Sequence, residues 1–112
     1  MATDRAVTQL RRGVLEYCVL ALLSDEERYG YDLVVELSAA GLVASEGTIY
    51  PLLSRLRKDE LVSTVWRESP TGPPRRYYAL TRHGGAVLDD FVRSWTTFKL
   101  SVDHILTREA QK

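Results

Sequence analysis

A mainly α-helical chain carrying one small β-hairpin, α+β in class, is the architecture to expect from three patterns in this sequence of 112 residues. The stretch "SEGTIYPLLSRLRKDE", residues 45 to 60, places Ile49, Leu52, Leu53 and Leu56 at i, i+3, i+4 and i+7, which is one stripe of an α-helix. "LVSTVWRE" and "RRYYAL" have the β-branched and aromatic composition of strands, and "SPTGPP" between them is dense turn chemistry. From Leu88 onward the apolar positions are Leu88, Phe91, Trp95, Phe98, Val102 and Ile105, with steps of 3, 4, 3, 4 and 3, the a/d seam of a long helix.

In chain order, "TQLRRGVLEYCVLALLSDEE" is the first helix, with Thr8 a candidate cap and "SDEE" its end. Its apolar residues, among them Leu10, Val14, Leu15, Cys18, Val19 and Leu22, run nearly all the way round, so burial on more than one side is expected. In so small a chain the second side is expected to meet another subunit. "YGYDLVVELSAAG" gives a shorter second helix, with Leu33, Val34 and Leu37 inward and Gly41 placed as its stop. A tight turn leads to the third helix, where Ser45 is a good N-cap and Glu46 suits the positive end of the helix dipole. With that cap Pro51 falls after the first turn, where it forfeits a backbone hydrogen bond and crowds the carbonyl of Gly47; alternatively Thr48 is the cap. Either way the helix start is expected to be irregular. The hairpin is expected to have a loop longer than two residues, with Arg75 and Arg76 beside it and Arg67 on the strand before. Thr81 restarts a helix whose seam covers 18 residues, about 27 Å. That is too long to cap a small domain, and the economical partner is a copy from a second chain, parallel or antiparallel.

Length allows one domain plus an appendage. Charges balance at 15 basic and 15 acidic residues, so no overall field argues for nucleic acid or membrane. The distribution is uneven: residues 1 to 44 hold 4 basic and 7 acidic side chains, residues 45 to 83 hold 7 and 4, and residues 84 to 112 hold 4 and 4. The basic excess therefore surrounds the third helix and the hairpin. Cys18, alone in the sequence, excludes a disulfide within one chain and reads as a small buried hydrophobe. The first ten residues lack a signal-peptide core and the longest apolar run, Tyr17 to Leu23, is far too short for a bilayer, so a cytoplasmic protein is expected. His83 and His104 are isolated, without a second ligand at metal spacing, and neither metal nor cofactor is expected. Cys18 has no nucleophile constellation around it, and "GTIYPLLSRL" and "RHGGAV" lack the lysine and spacing of phosphate-binding loops. An enzyme has almost nothing in its favour.

Three helices, a hairpin and a long helix are the order of a winged helix-turn-helix domain, here residues 1–83, followed by a C-terminal dimerisation helix, 84–112, with the first helix also contributing to the dimer. In that architecture the outer face of the third helix enters the major groove and the hairpin, or wing, reaches the backbone beside it. Ser45, Thr48, Ser54, Arg55 and Lys58 are then placed for base edges and phosphates, Arg75 and Arg76 for phosphates.

The segments "VLALLSDEERYGYDL", "GTIYPLLSRLRKDELV" and "PPRRYYALTRHG", in this order and spacing, resemble the PadR family of bacterial transcriptional regulators over nearly the whole chain. The short tail, with Trp95 after "LDDFVRS", is similar to the small subfamily that includes multidrug-sensing repressors. The resemblance implies a homodimeric repressor on a double-stranded, pseudo-palindromic operator, with Tyr50 near DNA; Tyr31 is a further contact candidate because the second helix flanks the groove. It also implies a flat pocket for planar aromatic effectors at the dimer interface, built on Trp95 with Phe91, Val92, Phe98, Lys99, Val14, Leu15 and Cys18 as neighbours. Two positions depart from the family pattern. Glu60 stands where a glycine is usual, and Lys99 stands where a cation-selecting site would carry a carboxylate, so an anionic or neutral aromatic ligand, or none, fits as well. The competing reading is a winged-helix module that uses the same surface for protein contacts.

Overall fold

The computed structural model describes residues 2–42 and 45–108. Helix α1 spans Ala2–Asp25, strand β1 Arg28–Tyr29, α2 Gly30–Ala39, α3 Glu46–Lys58, β2 Val62–Ser69, β3 Gly72–Leu80 and α4 Arg82–Thr107. The three strands form one antiparallel sheet in the order β1-β3-β2. No helix among the described residues is long and apolar enough to cross a membrane.

Helix α1 starts six residues before Thr8, the expected cap. Ala2 to Val7 contains neither glycine nor proline, so nothing in the sequence stops the helix from propagating backwards. Leu15, Val19, Leu20 and Leu23 give α1 its buried stripe. Helix α2 buries Leu33, Val34 and Leu37 and ends as expected at Gly41, whose φ of 84° lets Gly41 N–H reach Ser38 O (3.0 Å) and Leu42 N–H reach Leu37 O (3.0 Å). The turn from α2 to α3 includes residues 43 and 44, outside the described residues.

Ser45 is the N-cap of α3: its side chain accepts from Thr48 N–H at 3.2 Å, so the Thr48 alternative does not hold. Pro51 sits inside the helix without ending it, because its ring faces outward and the buried stripe of Ile49, Leu52, Leu53 and Leu56 clamps both turns to the core. At the far end Glu60 takes the left-handed conformation, φ 62°, that a glycine fits best. Glu60 N–H bonds Arg57 O (3.0 Å) and Leu61 N–H bonds Leu56 O (2.9 Å), the same stop that Gly41 makes on α2, here with a side chain to accommodate.

Two features of the sheet correct the expectation of a bare hairpin with a long loop. Ser69 pairs with Gly72, so only Pro70 and Thr71 connect the strands. Pro73 and Pro74 belong to β3, and the register shift between Arg67 and Ser69 lets two prolines without N–H groups oppose a single residue. The second correction is β1, in which Arg28 pairs with Tyr78 and Tyr29 with Tyr77. A two-residue strand has no periodicity to read. It is held by Arg28, whose Nε donates to Leu22 O (3.0 Å) and whose guanidinium pairs with Glu36.

Thr81 caps α4 as expected, accepting from Gly84 N–H at 2.9 Å. Only the first turns of α4 join the core, through Gly84 and Leu88. Beyond Phe91 every described residue of the helix except Trp95 is exposed. The molecule measures 65 × 32 × 21 Å with a radius of gyration of 16.8 Å, against about 13 Å for a compact chain of this length. Phe98 is 59% and Ile105 55% exposed.

Candidate nucleic-acid interface

Helix α3 presents two unlike faces because its apolar stripe is complete. With Ile49, Leu53 and Leu56 essentially inaccessible, the opposite face is left to Thr48, Pro51, Ser54, Arg55 and Lys58, all exposed. That face has no carboxylate between Thr48 and Lys58, and a short hydroxyl every few residues keeps it thin enough to approach another surface closely. Ser45, also exposed, has its hydroxyl engaged with Thr48, whose Oγ1 lies 3.2 Å away. Arg55 turns to the side, where its Nη2 donates to Glu16 of α1 at 3.1 Å.

On the other flank Tyr50 is half-buried against the start of α2. Its Cε1 lies 2.8 Å from where a Cβ would sit on Gly30, so only glycine lets the ring and the α2 N-terminus close together. Desolvation, with Tyr29 and Glu46 nearby, pushes the Tyr50 hydroxyl up from its ordinary value, and it stays neutral at working pH. Tyr31, the second residue of α2, is exposed nearby.

The wing carries its arginines in two different ways. Arg67 is spoken for: its Nε and Nη2 both donate to the Glu27 carboxylate, the second at 3.0 Å, and this pairing holds Glu27 below the usual carboxylate range. Arg75 lies over the Tyr29 ring, 4.7 Å from its centroid, and Arg76 over the Trp66 ring at 5.0 Å. The Arg76 Nε is buried without a hydrogen-bond partner among the described residues. Stacking holds these guanidiniums against the rings without a carboxylate among the described residues to neutralise them. Trp66, 61% exposed, was not singled out by sequence reasoning, although its position directly opposite Arg76 in the hairpin follows from the strand register.

A second cluster lies where α4 leaves the core. Tyr17 stacks on Phe91 (3.9 Å between centroids, 2° between planes), Phe91 on Trp95 (5.8 Å) and Trp95 against Phe98 (6.2 Å). Val92 and Lys99 are exposed on the same helix, and Val14 and Cys18 are half-buried on α1, where burial pushes the Cys18 thiol up. Leu15 is elsewhere: it is buried in the core and lines the cleft between α1 and α3. Tyr17, which begins the aromatic ladder, is the member that sequence reasoning missed. It falls three residues after Val14, so the helical period alone could have placed it on that face.

Similarity to known proteins points the same way as this geometry. Residues 19–90 match the transcriptional regulator PadR-like family. A PadR-like transcriptional regulator from Bacillus cereus superposes with a TM-score of 0.84 at 41% identity, covering 90% of this chain and 99% of that one. A PadR family regulator from Eggerthella lenta gives 0.86 at 33% identity, covering 96% and 95%. A transcriptional regulator of Mycobacterium tuberculosis is 35% identical over 82 residues, 73% of this chain and 76% of its own. The matched region runs from the buried half of α1 through the wing into the start of α4, which takes in the thin face of α3 and both stacked arginines. This chain belongs to the PadR-like family of DNA-binding transcriptional regulators.

Proposed function

We propose that this protein is a homodimeric repressor that binds a pseudo-palindromic DNA operator and loosens its grip when a small aromatic molecule occupies the dimer centre. The observation that carries the reading is the face of α3 from Thr48 to Lys58, free of carboxylates and set on a fully buried stripe. In a groove, Thr48, Ser54 and Lys58 meet base edges and phosphates, and Arg55 meets a guanine edge once released from Glu16. Ser45 and the first turn of α3 offer a helix N-terminus to a phosphate, with Tyr31 and Tyr50 alongside. Arg75 and Arg76 take the neighbouring backbone.

In this reading residues 1–83 form the DNA-binding unit and residues 84–112 the dimerisation helix. The exposed seam of Phe98, Val102 and Ile105 supports this, since an apolar stripe of that length in water must find a partner. Two copies related by a two-fold axis would present their α3 helices to successive major grooves, roughly 34 Å apart. The ladder of Tyr17, Phe91, Trp95 and Phe98 offers flat surfaces to a planar ligand, and the nearby Lys99 suits an anionic or neutral one. Such a ligand acts by binding one relative angle of the two winged domains better than the other.

The test is binding of the purified protein to the DNA upstream of its own coding region, at several salt concentrations. Tight, sequence-selective binding whose logarithm falls steeply with the logarithm of salt is expected, because each phosphate contact releases counterions. One observation favours the rival reading, a winged-helix module for protein partners: Arg55 and Arg67 are already paired within the chain. Binding no better than to a random duplex, with a shallow salt slope, would favour it.

A further inference from the structure

Between α1 and α3 lies an open cleft of about 250 Å³ lined by Thr8, Arg11, Arg12 and Leu15 on one side and Thr48, Pro51, Leu52 and Arg55 on the other. Apolar Leu15 and Leu52 form its floor, and the rim is basic. Arg11 is half-exposed and Arg12 exposed, and neither is in an ion pair with any described residue. Arg55 is balanced by Glu16, so three guanidiniums face one carboxylate and the cleft carries a net charge of +2 (3 − 1).

Its position relative to the groove-reading face follows from helix geometry. At 3.6 residues per turn, Thr48 and Arg55 point to nearly the same side of α3, whereas Tyr50 points about 160° away, toward β1 and the wing. Pro51 and Ser54 lie between those two flanks. Seen along α3, the wing arginines Arg75 and Arg76 stand beyond one edge of the exposed face and Arg11 and Arg12 beyond the other.

We propose that this cleft binds a phosphate of the DNA backbone, so that each protomer grips the duplex on both sides of its recognition helix, by the wing on one side and by Arg11 and Arg12 of α1 on the other. The inference rests on the DNA-binding reading and extends it to residues outside the helix-turn-helix and the wing. Each half-site then carries a clamp whose two jaws are separate elements. The Thr48 hydroxyl at the cleft edge is placed to donate to the same phosphate.

The phosphate contacts are independent of sequence, so the test uses a duplex of random sequence long enough for both half-sites, alongside the upstream DNA. In the variant Arg11→Ala/Arg12→Ala, affinity for both duplexes is expected to fall at least about tenfold at moderate salt. The slope of log affinity against log salt is expected to become shallower by about 2 for a dimer losing one phosphate contact in each of its two clefts. Preference for the upstream DNA over the random duplex is expected to be unchanged, and Arg11→Lys/Arg12→Lys to keep most of the slope. Unchanged melting temperature and dimer mass are checked alongside, to set aside misfolding. If the slope stays as steep in Arg11→Ala/Arg12→Ala while Arg75→Ala/Arg76→Ala lowers it, the α1 cleft does not touch DNA and the proposal fails, with the DNA-binding reading intact. If inorganic phosphate at constant ionic strength raises the melting temperature of the wild type but not of Arg11→Ala/Arg12→Ala, and the DNA slope is unchanged, the cleft serves a free anion and the proposal also fails. A wild-type protein with a flat salt slope on both duplexes overturns both readings together.

Discussion

Gly84 and Gly85 are neighbours in the first turn of α4, and exchanging each for alanine should move stability in opposite directions. A Cβ on Gly84 would lie 3.0 Å from the Leu61 carbonyl carbon, closer still to its oxygen, and 2.7 Å from Leu80 Cδ1. The leucine methyl can rotate away, but the carbonyl cannot. Leu61 O already accepts from Thr81 N–H at 3.1 Å, and the Thr81 hydroxyl sits within reach of Glu60 O (2.7 Å) and Leu61 O (3.0 Å) while accepting from Gly84 N–H. Pushing α4 off this carbonyl therefore takes the cap and a backbone bond with it. Overpacking costs about 1–3 kcal/mol, loss of the cap about 1 and loss of the bond about 1. The gain in helix propensity returns about 1. Gly84→Ala should thus destabilise by about 2–4 kcal/mol in net, a large part of the 5–15 kcal/mol typical of a domain. At Gly85 the nearest heavy atom to an added Cβ is Leu80 Cδ2 at 3.8 Å, an ordinary contact. Gly85→Ala should stabilise by about 0.5–1 kcal/mol.

Urea unfolding followed by circular dichroism, at one protein concentration for all variants, measures both. Holding concentration fixed matters because self-association would add its own term to the apparent stability. With a slope of about 2 kcal/mol per molar urea, the Gly84→Ala midpoint should fall by about 1–2 M. A Gly84→Ala midpoint within error of wild type would refute the close packing of α4 on the β2 start. It would also remove the basis for a fixed exit angle of α4 from the winged domain.

Glu60→Gly should stabilise the chain by about 1 kcal/mol by relieving the left-handed backbone at φ 62°, read from the same urea curves; a loss of stability would mean that the Glu60 side chain makes a contact worth more than the strain. The Glu27 carboxyl is held below its ordinary value of 4.5 by its hydrogen bonds from Arg67. The stability it lends the wing is therefore present at neutral pH, and is lost as pH falls below the ordinary value and through the lowered one. Trp66 emission in a Trp95→Phe background should report an acid transition that Glu27→Gln abolishes, and persistence of the transition in that variant would assign it to another group. Trp95→Ala should cost the proposed dimer about 2 kcal/mol at each of two copies, weakening association by about a thousandfold and removing any response to aromatic effectors. Sedimentation showing an unchanged dimer, with operator affinity and effector responses intact, would sink the pocket.

Much of this fold was legible because its signals are periodic. The stripe Ile49, Leu52, Leu53, Leu56 and the seam from Leu88 each repeat often enough for the helical period to outweigh local exceptions such as Pro51. What escaped was aperiodic or tertiary. Strand β1 is two residues held by Arg28 reaching to Leu22 O and to Glu36, contacts made by a side chain across sequence distance. The two prolines of β3 resemble turn residues by composition, and only the register shift at Arg67/Ser69 makes room for them in a strand. At the candidate interface, residue type pointed to Arg55, Arg75 and Arg76, but nothing in the sequence says that Arg55 pairs with Glu16, 39 positions away, or that Arg67 pairs with Glu27. The α1 cleft was invisible for the same reason. It exists only once Arg11 and Arg12 are brought beside Thr48 and Arg55.

These ion pairs bear on how a chain of zero formal charge can bind a polyanion at all. Arg55 and Arg67 each have a carboxylate partner, while Arg75 and Arg76 rest on aromatic faces, which hold a guanidinium in place without neutralising it. An exposed ion pair of the Arg55–Glu16 kind contributes only about 0–1 kcal/mol, so a phosphate or a guanine edge can displace the carboxylate at small cost. The displaced Glu16 would then stand as a negative charge beside the bound strand, offsetting part of the attraction for any duplex. In the proposed complex, pairing within the free protein would lower affinity for every duplex by the small cost of that displacement, through residues on α1 and α3 that no local pattern connects.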